Sequence, residues 1–600
     1  MILSIFCSLF NTLRKLAFLF LTQKRRTSLH ANQVQLEQSR KNKIFSMPDA
    51  IREFEIDNGI MFFYQKELSR VDDIFGQDTV TLRLDEDKRE AIAPLSFEVS
   101  KTDSGFELVL VYRSDMYSEF FAQQLVKTYK NIVSELIIRQ DLSEIETADA
   151  EQIDLVDSFH GRKTNISPRT VIEYFTENAR RFKDLPAVVS AGRTITYGEL
   201  YDITGRLAQK LRQMGAGKEK TVGIIVSRNE FMPVCALGAL RSGSAYMPLD
   251  PTYPPERLEL MLKDSGAEIL IAEKDLIERV GDFNGQILTT DQIKDLPVQT
   301  EDLVIPDSED LFILLYTSGS TGVPKGVMLE HGNLAHFCEW AVGFYKLDQH
   351  SRVAAYASFG FDACMLDMYP TFFGGGTLYI IPKELRLDLL GIQNFFNKNE
   401  ISHAFMTTQL GRQFSQLSGT QTLKELSTGG KKLSSCDVPD YDFFNAYGPT
   451  ECTIFTTIYH VRERMNEIPI GKPLDNLNVY IVDKNNKRLP CGAAGELLIS
   501  GPQVARGYLN NPEKTAAVFD TDKFGTGERL YRSGDVVRFL PDGNIQFIGR
   551  RDNQVKIRGF RIELSEVEEV IGRFPAVKDV AATAFENPDG GKYLAAYITL

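Results

Sequence analysis

No two cysteines in this 600-residue chain form a C-x-x-C pair, and the seven present (Cys7, Cys235, Cys338, Cys364, Cys436, Cys452, Cys491) are scattered. That suggests neither a disulfide framework nor a thiolate zinc site, and it fits a reducing, cytoplasmic setting. Positive charge is in deficit: 68 Lys and Arg against 81 Asp and Glu give a formal net charge of −13. A general nucleic-acid surface, or one for anionic membranes, needs the opposite balance. A clean spanning segment is missing as well. Met1 to Thr22 is mostly apolar, but Arg14-Lys15 interrupts it and Lys24-Arg25-Arg26 follows it, unlike a spanning helix or a cleavable signal peptide. Residues 1–46 are therefore expected to be a poorly ordered extension, or one that touches a membrane weakly through residues 1–26. Repeats of short period and low-complexity tracts are absent. What remains, 43% hydrophobic and 25% charged, is the composition of several globular units with large cores.

Residues 95–137 offer two strand-like runs, Leu95–Ser100 and Phe106–Tyr112. A helical pattern starting at Ser118 follows, with Phe120, Phe121, Leu125, Tyr129, Ile132 and Leu136 at mostly three- and four-residue spacings. Asp141 to Pro168 is polar and without long apolar periodicity, which marks a linker or boundary. Beyond it helices and strands alternate. Thr196-Tyr-Gly-Glu199 has capping-box spacing ahead of Leu200, Ile203, Leu207, Leu211 and Met214. Val222–Val226, the helical Glu230–Leu240 and Ser244–Pro248 read as strand, crossover and strand, and the helix from Pro255 and strand Ile269–Ile271 continue the series. The expected class is α/β with mostly parallel, helix-covered sheets and a β-rich portion. Near the end, Val536–Leu540 and Asn544–Ile548 flank the turn sequence Pro541-Asp542-Gly543.

Chemistry concentrates in three clusters. The first, Thr317-Ser-Gly-Ser-Thr-Gly-Val-Pro-Lys-Gly326, follows the apolar run Leu311–Tyr316. Glycines let backbone N–H groups face an anion, hydroxyls add donors and Lys325 adds a compact positive charge, so the loop suits phosphates. It is not a G-x-x-x-x-G-K-[ST] loop, because Lys325 precedes a glycine instead of following one. The second, Asn445-Ala-Tyr-Gly-Pro-Thr-Glu451, sets an amide, a ring, a hydroxyl and a carboxylate where a nucleotide could use each. Tyr531-Arg-Ser-Gly-Asp535 adds a carboxylate suited to ribose hydroxyls.

These clusters, in this order, resemble the adenylate-forming superfamily, and within it the adenylation domains of nonribosomal peptide synthetases. Ile195–Leu200, Leu240–Asp250, Gly495–Gly501, Val504–Tyr508 and Ile548–Gly559 extend the resemblance from about Ser167 to the end. It implies a large subdomain over 169–551 and a small lid over 552–600, preceded by a linker at 148–168. Residues 47–147 resemble the closing part of a condensation domain. That domain's His-His-x-x-x-Asp-Gly is absent, since no two of the seven histidines are adjacent, so an inert remnant is expected.

The resemblance implies that ATP, with Mg²⁺, converts an amino acid to its aminoacyl adenylate, and that the acyl group then passes to the 4'-phosphopantetheine of a carrier domain. By the same register, Thr317, Ser318, Gly319, Ser320, Thr321, Gly322 and Lys325 would grip the leaving phosphates. Thr450 would touch the α-phosphate, and Glu451 would hold the metal. Gly429, Asn445 and Tyr447 would frame adenine, Asp535 would take the ribose, and Arg550 would assist beside it. Asp552 would be the hinge, with Lys556 just beyond.

Asp362 decides between subfamilies. It stands among apolar residues in Phe361-Asp-Ala-Cys-Met-Leu366, where a carboxylate wants a cation; in peptide synthetases the matching aspartate holds the substrate α-ammonium. The pocket walls would be Ala363, Leu366, Phe405, Leu426, Thr428, Ala446, Ile454 and Phe455, which implies a hydrophobic side chain. The sequence ends at Leu600, before any Asn-Gly-Lys of the kind that in the family bridges substrate and α-phosphate, so weakened adenylation is expected. Two alternatives stay open: an acyl-CoA or aryl-acid ligase of the same superfamily, and a weakened nucleotide-binding module.

Overall fold

Two folding units emerge from a computed structural model that describes residues 60–65, 93–102, 105–139, 141–299, 304–318, 324–433, 436–551, 554–557, 560–574, 576–586 and 592–599. One unit comprises residues up to 158 together with 481–495 and 538–542; the other comprises 159–480, 496–537 and 543–600. The extension expected at 1–46 lies outside the described residues. No helix among those described is long and apolar enough to cross a membrane.

In the first unit, Ile60–Gln65 pairs parallel with Leu95–Thr102, which pairs antiparallel with Gly105–Tyr112. A 20-residue helix, Glu119–Ile138, starts where the Ser118 hydroxyl accepts the Phe121 amide, and Leu95, Phe97 and Leu125 form a small core. The segment expected to be a linker holds a second helix, Ala150–Asp157, started by an Asp149/Gln152 capping box. Polar contacts anchor it, which is why apolar periodicity did not reveal it. Buried Gln152 donates to the Gln124 side chain at 2.8 Å, and Asp157 accepts a forked pair of bonds from Arg488 at 2.7 and 3.1 Å.

The second unit is built on two large mixed sheets. The seven-stranded sheet runs Gly507–Tyr508, Lys325–Glu330, Leu311–Thr317, Ala245–Pro248, Thr221–Ile225, Ile269–Ala272, Gln286–Thr289. Its last five strands are parallel, whereas Lys325–Glu330 returns antiparallel to Leu311–Thr317 with Thr317 opposite Lys325. Of the nine strands in the other sheet, Pro186–Ser190, Thr377–Ile380, Arg352–Ala355, His403–Thr407, Glu425–Gly429 and Asp442–Tyr447 lie side by side in that order, all parallel. Helices cover both sheets, among them Tyr197–Gln213 with the expected Thr196/Glu199 capping box. The class is α/β, as the alternating pattern implied. Strand Arg529–Phe539 pairs with Ile545–Arg550, and two further hairpins close the chain, Gln554–Ile557 with Phe560–Glu563 and Asp579–Glu586 with Lys592–Thr599.

The parallel strands of the nine-stranded sheet end where the chemistry gathers. Just beyond Arg352–Ala355, buried Asp367 accepts the amides of Tyr356 and Ala357, both at 2.9 Å. The guanidinium of Arg228 caps the neighbouring carbonyls of Ala355, Ala357 and Ile381. Burial pushes the Asp367 carboxyl up to about 7, against the pull of the Ala357 amide and Arg228. A carboxyl raised in the folded state stabilises below its unfolded pKa, and that stability is lost as pH rises through the folded value. Urea unfolding of Asp367→Asn beside the unaltered protein should therefore show the difference moving toward the variant by about 2–3 kcal/mol between pH 5 and pH 8. A pH-independent difference would mean that Asp367 is ionised throughout.

Candidate active site

Strand Lys325–Glu330 begins with a lysine that is 8% exposed, and its Nζ donates to Glu451 Oε1 at 2.9 Å and to the Tyr508 hydroxyl at 2.7 Å. Tyr508 donates in turn to the same carboxylate oxygen at 2.8 Å, and the ammonium sits 4.2 Å from its ring centroid. Each charge is thus neutralised locally, as a fully buried carboxylate requires. The sequence assigned no role to Tyr508; its place in Ala-Arg-Gly-Tyr was the available signal. Thr317 lies across the sheet from Lys325, its hydroxyl buried and without a partner among the described residues. That unspent donor is what an incoming anion would use. Gly319, Ser320, Thr321 and Gly322 lie outside the described residues, as does the hinge candidate Asp552.

One residue before Glu451, Thr450 donates its hydroxyl to Asp362 Oδ2 at 2.5 Å. Asp362 is half-buried at the start of helix Ala363–Gly374. The structure therefore joins residues expected at phosphate, metal and ammonium into one contiguous set. On the other side, Asp535 accepts from the Tyr447 phenol and from Arg550 at 2.5 Å. Burial and this carboxylate push the Tyr447 phenol far up. Asn445 is buried and donates from Nδ2 to the Pro469 carbonyl at 2.7 Å, so the amide oxygen is the atom left to meet a base amino group.

Leu366, Phe405, Ala446, Ile454 and Phe455 share one hydrophobic cluster, with the Phe405 and Phe455 ring centroids 5.9 Å apart. Ala363 packs against it. Leu426 and Thr428 do not belong to this wall. Side chains alternate along a strand, and the pocket residue Phe405 stands opposite Ser427 while Ala446 stands opposite Gly429. Leu426 instead joins the cluster on the other face with Phe396, Phe414 and Phe443, and the Thr428 hydroxyl lies toward Gly411. The sequence register was one residue off, which moves every side chain of a strand to the wrong face. Ser427 takes their place on the face of Phe405, its hydroxyl 2.6 Å from that of Tyr345, and lines a cavity of about 30 Å³ together with Leu366, Phe405, His403 and Glu425. Gly429, expected at adenine, lies beside the pocket: a Cβ there would come 2.8 Å from the Ala446 carbonyl and 3.5 Å from the Phe405 ring.

The turn between the two halves of the site is strained. Thr453 and Ile454 have φ of +55° and +71°, a region that costs a β-branched residue about 1–3 kcal/mol. Gly448 makes room for it, since a Cβ at that position would lie 2.2 Å from the Ile454 carbonyl oxygen.

Comparison with known proteins places this geometry. The AMP-binding enzyme family matches residues 175–509, more than half of the chain. Surfactin synthase subunit 1 of Bacillus subtilis (strain 168) is 37% identical over 528 residues, which cover 86% of this chain but 14% of the synthase. Bacitracin synthase 1 of Bacillus licheniformis is 36% identical over 84% of this chain and 10% of its own. The chain thus spans a small fraction of the curated relatives it matches. Among solved structures, a four-domain nonribosomal peptide synthetase bound to AMP and glycine matches with a TM-score of 0.75 and 25% identity, over 96% of this chain and 45% of that one. An artificially fused adenylation–PCP di-domain from Klebsiella oxytoca matches with 0.66 and 25%, over 72% and 89%. The fold is that of a peptide-synthetase adenylation domain, and the chain belongs to the AMP-binding enzyme family.

Proposed function

We propose that this chain activates an amino acid with a hydrophobic side chain as its aminoacyl adenylate. One observation carries the reading: Thr450 bonds Asp362 while its neighbour Glu451 pairs with Lys325, so an ammonium site and a phosphate site share one short segment. In the reaction a carboxylate oxygen of the amino acid attacks the α-phosphorus of ATP, a carbon–oxygen–phosphorus link forms, and the bond to the β-phosphate breaks to release pyrophosphate. No side chain acts as nucleophile, so the protein's share is alignment and charge neutralisation. Asp362 would hold the ammonium, Lys325 and Thr317 the departing phosphates, Thr450 the α-phosphate, and Asp535 with Arg550 the ribose. Leu366, Phe405, Ala446, Ile454 and Phe455 would enclose the side chain.

A lone carboxylate beside substrate phosphates fits Mg²⁺, which is usually held by one or two carboxylates plus phosphate oxygens. Glu451 would be that ligand; no cluster of three or more His, Cys, Asp or Glu able to cage a metal occurs among the described residues. The metal would supply neutralisation of phosphate charge. Kinship with peptide synthetases supports a second step, transfer of the acyl group to the 4'-phosphopantetheine thiol of a carrier domain in the cytoplasm. It likewise supports reading the described part of residues 47–147 as the closing part of a condensation domain.

The test is ATP–pyrophosphate exchange with a panel of amino acids, on this chain and on one extended by a homologous lid. Exchange should depend on an aliphatic or other apolar amino acid. Exchange driven by fatty or aryl acids and by no amino acid would transfer the chain to the acyl ligases. ATP binding without exchange in either form would leave only a nucleotide-binding module.

A further inference from the structure

Gln503 is fully buried in the loop between strands Gly495–Ser500 and Gly507–Tyr508, and its side-chain N–H groups are spent on other residues' backbones. Its Nε2 donates to the carbonyls of Phe455 at 2.8 Å and of Cys452 and Thr453 at 3.3 Å each. Its own backbone carbonyl accepts the Thr453 hydroxyl at 2.7 Å. Every one of these contacts falls on the turn whose Thr453 and Ile454 are held in the left-handed region.

Behind Gln503 stands a polarised chain. His336 Nδ1 lies 3.1 Å from Gln503 Oε1, an atom that can only accept, so Nδ1 carries the hydrogen and Nε2 accepts from Asn476 Nδ2, also at 3.1 Å. Asn476 donates on to the Thr164 hydroxyl and accepts the Thr164 amide, both at 2.8 Å. Burial keeps His336 neutral by pushing it down to about 4. The chain fixes which end of the Gln503 amide faces the turn. A reversed amide would set its oxygen against the three carbonyls and its N–H against the His336 Nδ1–H.

The turn has a ligand-facing consequence. Thr450 and Glu451 enter it and Ile454 and Phe455 leave it, so its shape sets both the phosphate end and one wall of the side-chain pocket. We propose that Gln503 is a positioning residue that holds this turn in its left-handed form and thereby sets amino-acid selectivity. The inference rests on the adenylation reading for its selectivity half and on geometry alone for its conformational half.

Gln503→Met keeps the volume and removes the donors. In the full chain it should lower exchange kcat/KM for the preferred amino acid by about 10- to 100-fold, shrink the preference over the next larger aliphatic by about tenfold, and leave the ATP KM within twofold. Adding Thr453→Gly, which tolerates positive φ, should restore part of the loss. A uniform loss over all amino acids with the ratio unchanged, or no loss, would overturn the selectivity role. A crystal structure of Gln503→Met decides the conformational half without any activity: a changed φ at Thr453 or Ile454 supports the proposal, and an unmoved turn overturns it. Gln503→Asn, one methylene short, serves both measurements if the methionine variant does not fold. Absence of amino-acid-dependent exchange in the unaltered and lid-extended proteins would sink the adenylation reading instead, leaving the crystal structure as the test of Gln503.

Discussion

Asp362→Asn will cut amino-acid-dependent pyrophosphate exchange by about 10²- to 10³-fold while ATP binds within twofold of the unaltered protein. Removing one partner of a desolvated charge pair costs about 3–5 kcal/mol, because the ammonium of the bound amino acid would enter the pocket uncompensated. Asparagine preserves the shape and still accepts the Thr450 hydroxyl that now reaches Oδ2, so the site should survive the change. The loss should fall on amino-acid KM as well as on kcat/KM. Equal loss in ATP affinity, measured by calorimetry, would place Asp362 in the nucleotide site and remove the basis for an amino acid in preference to another acid.

Breaking the pair of Lys325 and Glu451 is expected to do the greatest damage. Glu451→Gln removes the counter-charge that an ammonium only 8% exposed meets at 2.9 Å. Lys325→Met leaves a fully buried carboxylate without the ammonium that neutralises it at 2.9 Å. Each single variant should lose about 3–5 kcal/mol of stability, since a half-pair in the interior is worse than none. The double variant should recover most of that stability, because no buried charge is then left without its counter-charge. Exchange should recover nothing and stay at least about 10³-fold down in all three, as the charges proposed to meet phosphate are gone. Chemical denaturation beside exchange assays separates the outcomes: activity returning with stability would reduce the pair to a structural role.

How much of this was legible beforehand varied by the kind of signal. Local chemistry carried well. The Thr196/Glu199 capping box, the apolar run ahead of Thr317 and the Pro541–Gly543 turn each name their conformation through a few adjacent residues, and the elements formed at those places. The α/β class followed from alternation. Strand facing carried less well: Leu426 and Thr428 are expected in the pocket wall, whereas Ser427 and Gly429 are the residues on the face of Phe405 and Ala446, because a short strand buried on both faces gives no period to read. Helix Ala150–Asp157 escaped because polar anchors replace the apolar stripe. Tyr508, Gln503, Asp367 and Arg228 act through contacts 57 residues away or at 48, 10 and 129 residues respectively, separations at which neighbouring sequence says nothing.

The burial of the cysteines bears on the fate of a reactive intermediate. All six in the described residues are free and buried, Cys364 and Cys452 close in sequence to Asp362 and Glu451, and burial raises every one of their pKa values. Thiolate, not thiol, captures an acyl group. On the proposed chemistry, a mixed anhydride resting in this cleft meets no competing sulfur nucleophile from those six, and intact-mass spectra after ATP and amino acid should show no acyl adduct at them. On that proposal, these six thiols leave the activated carbonyl to a visiting thiol instead of competing for it.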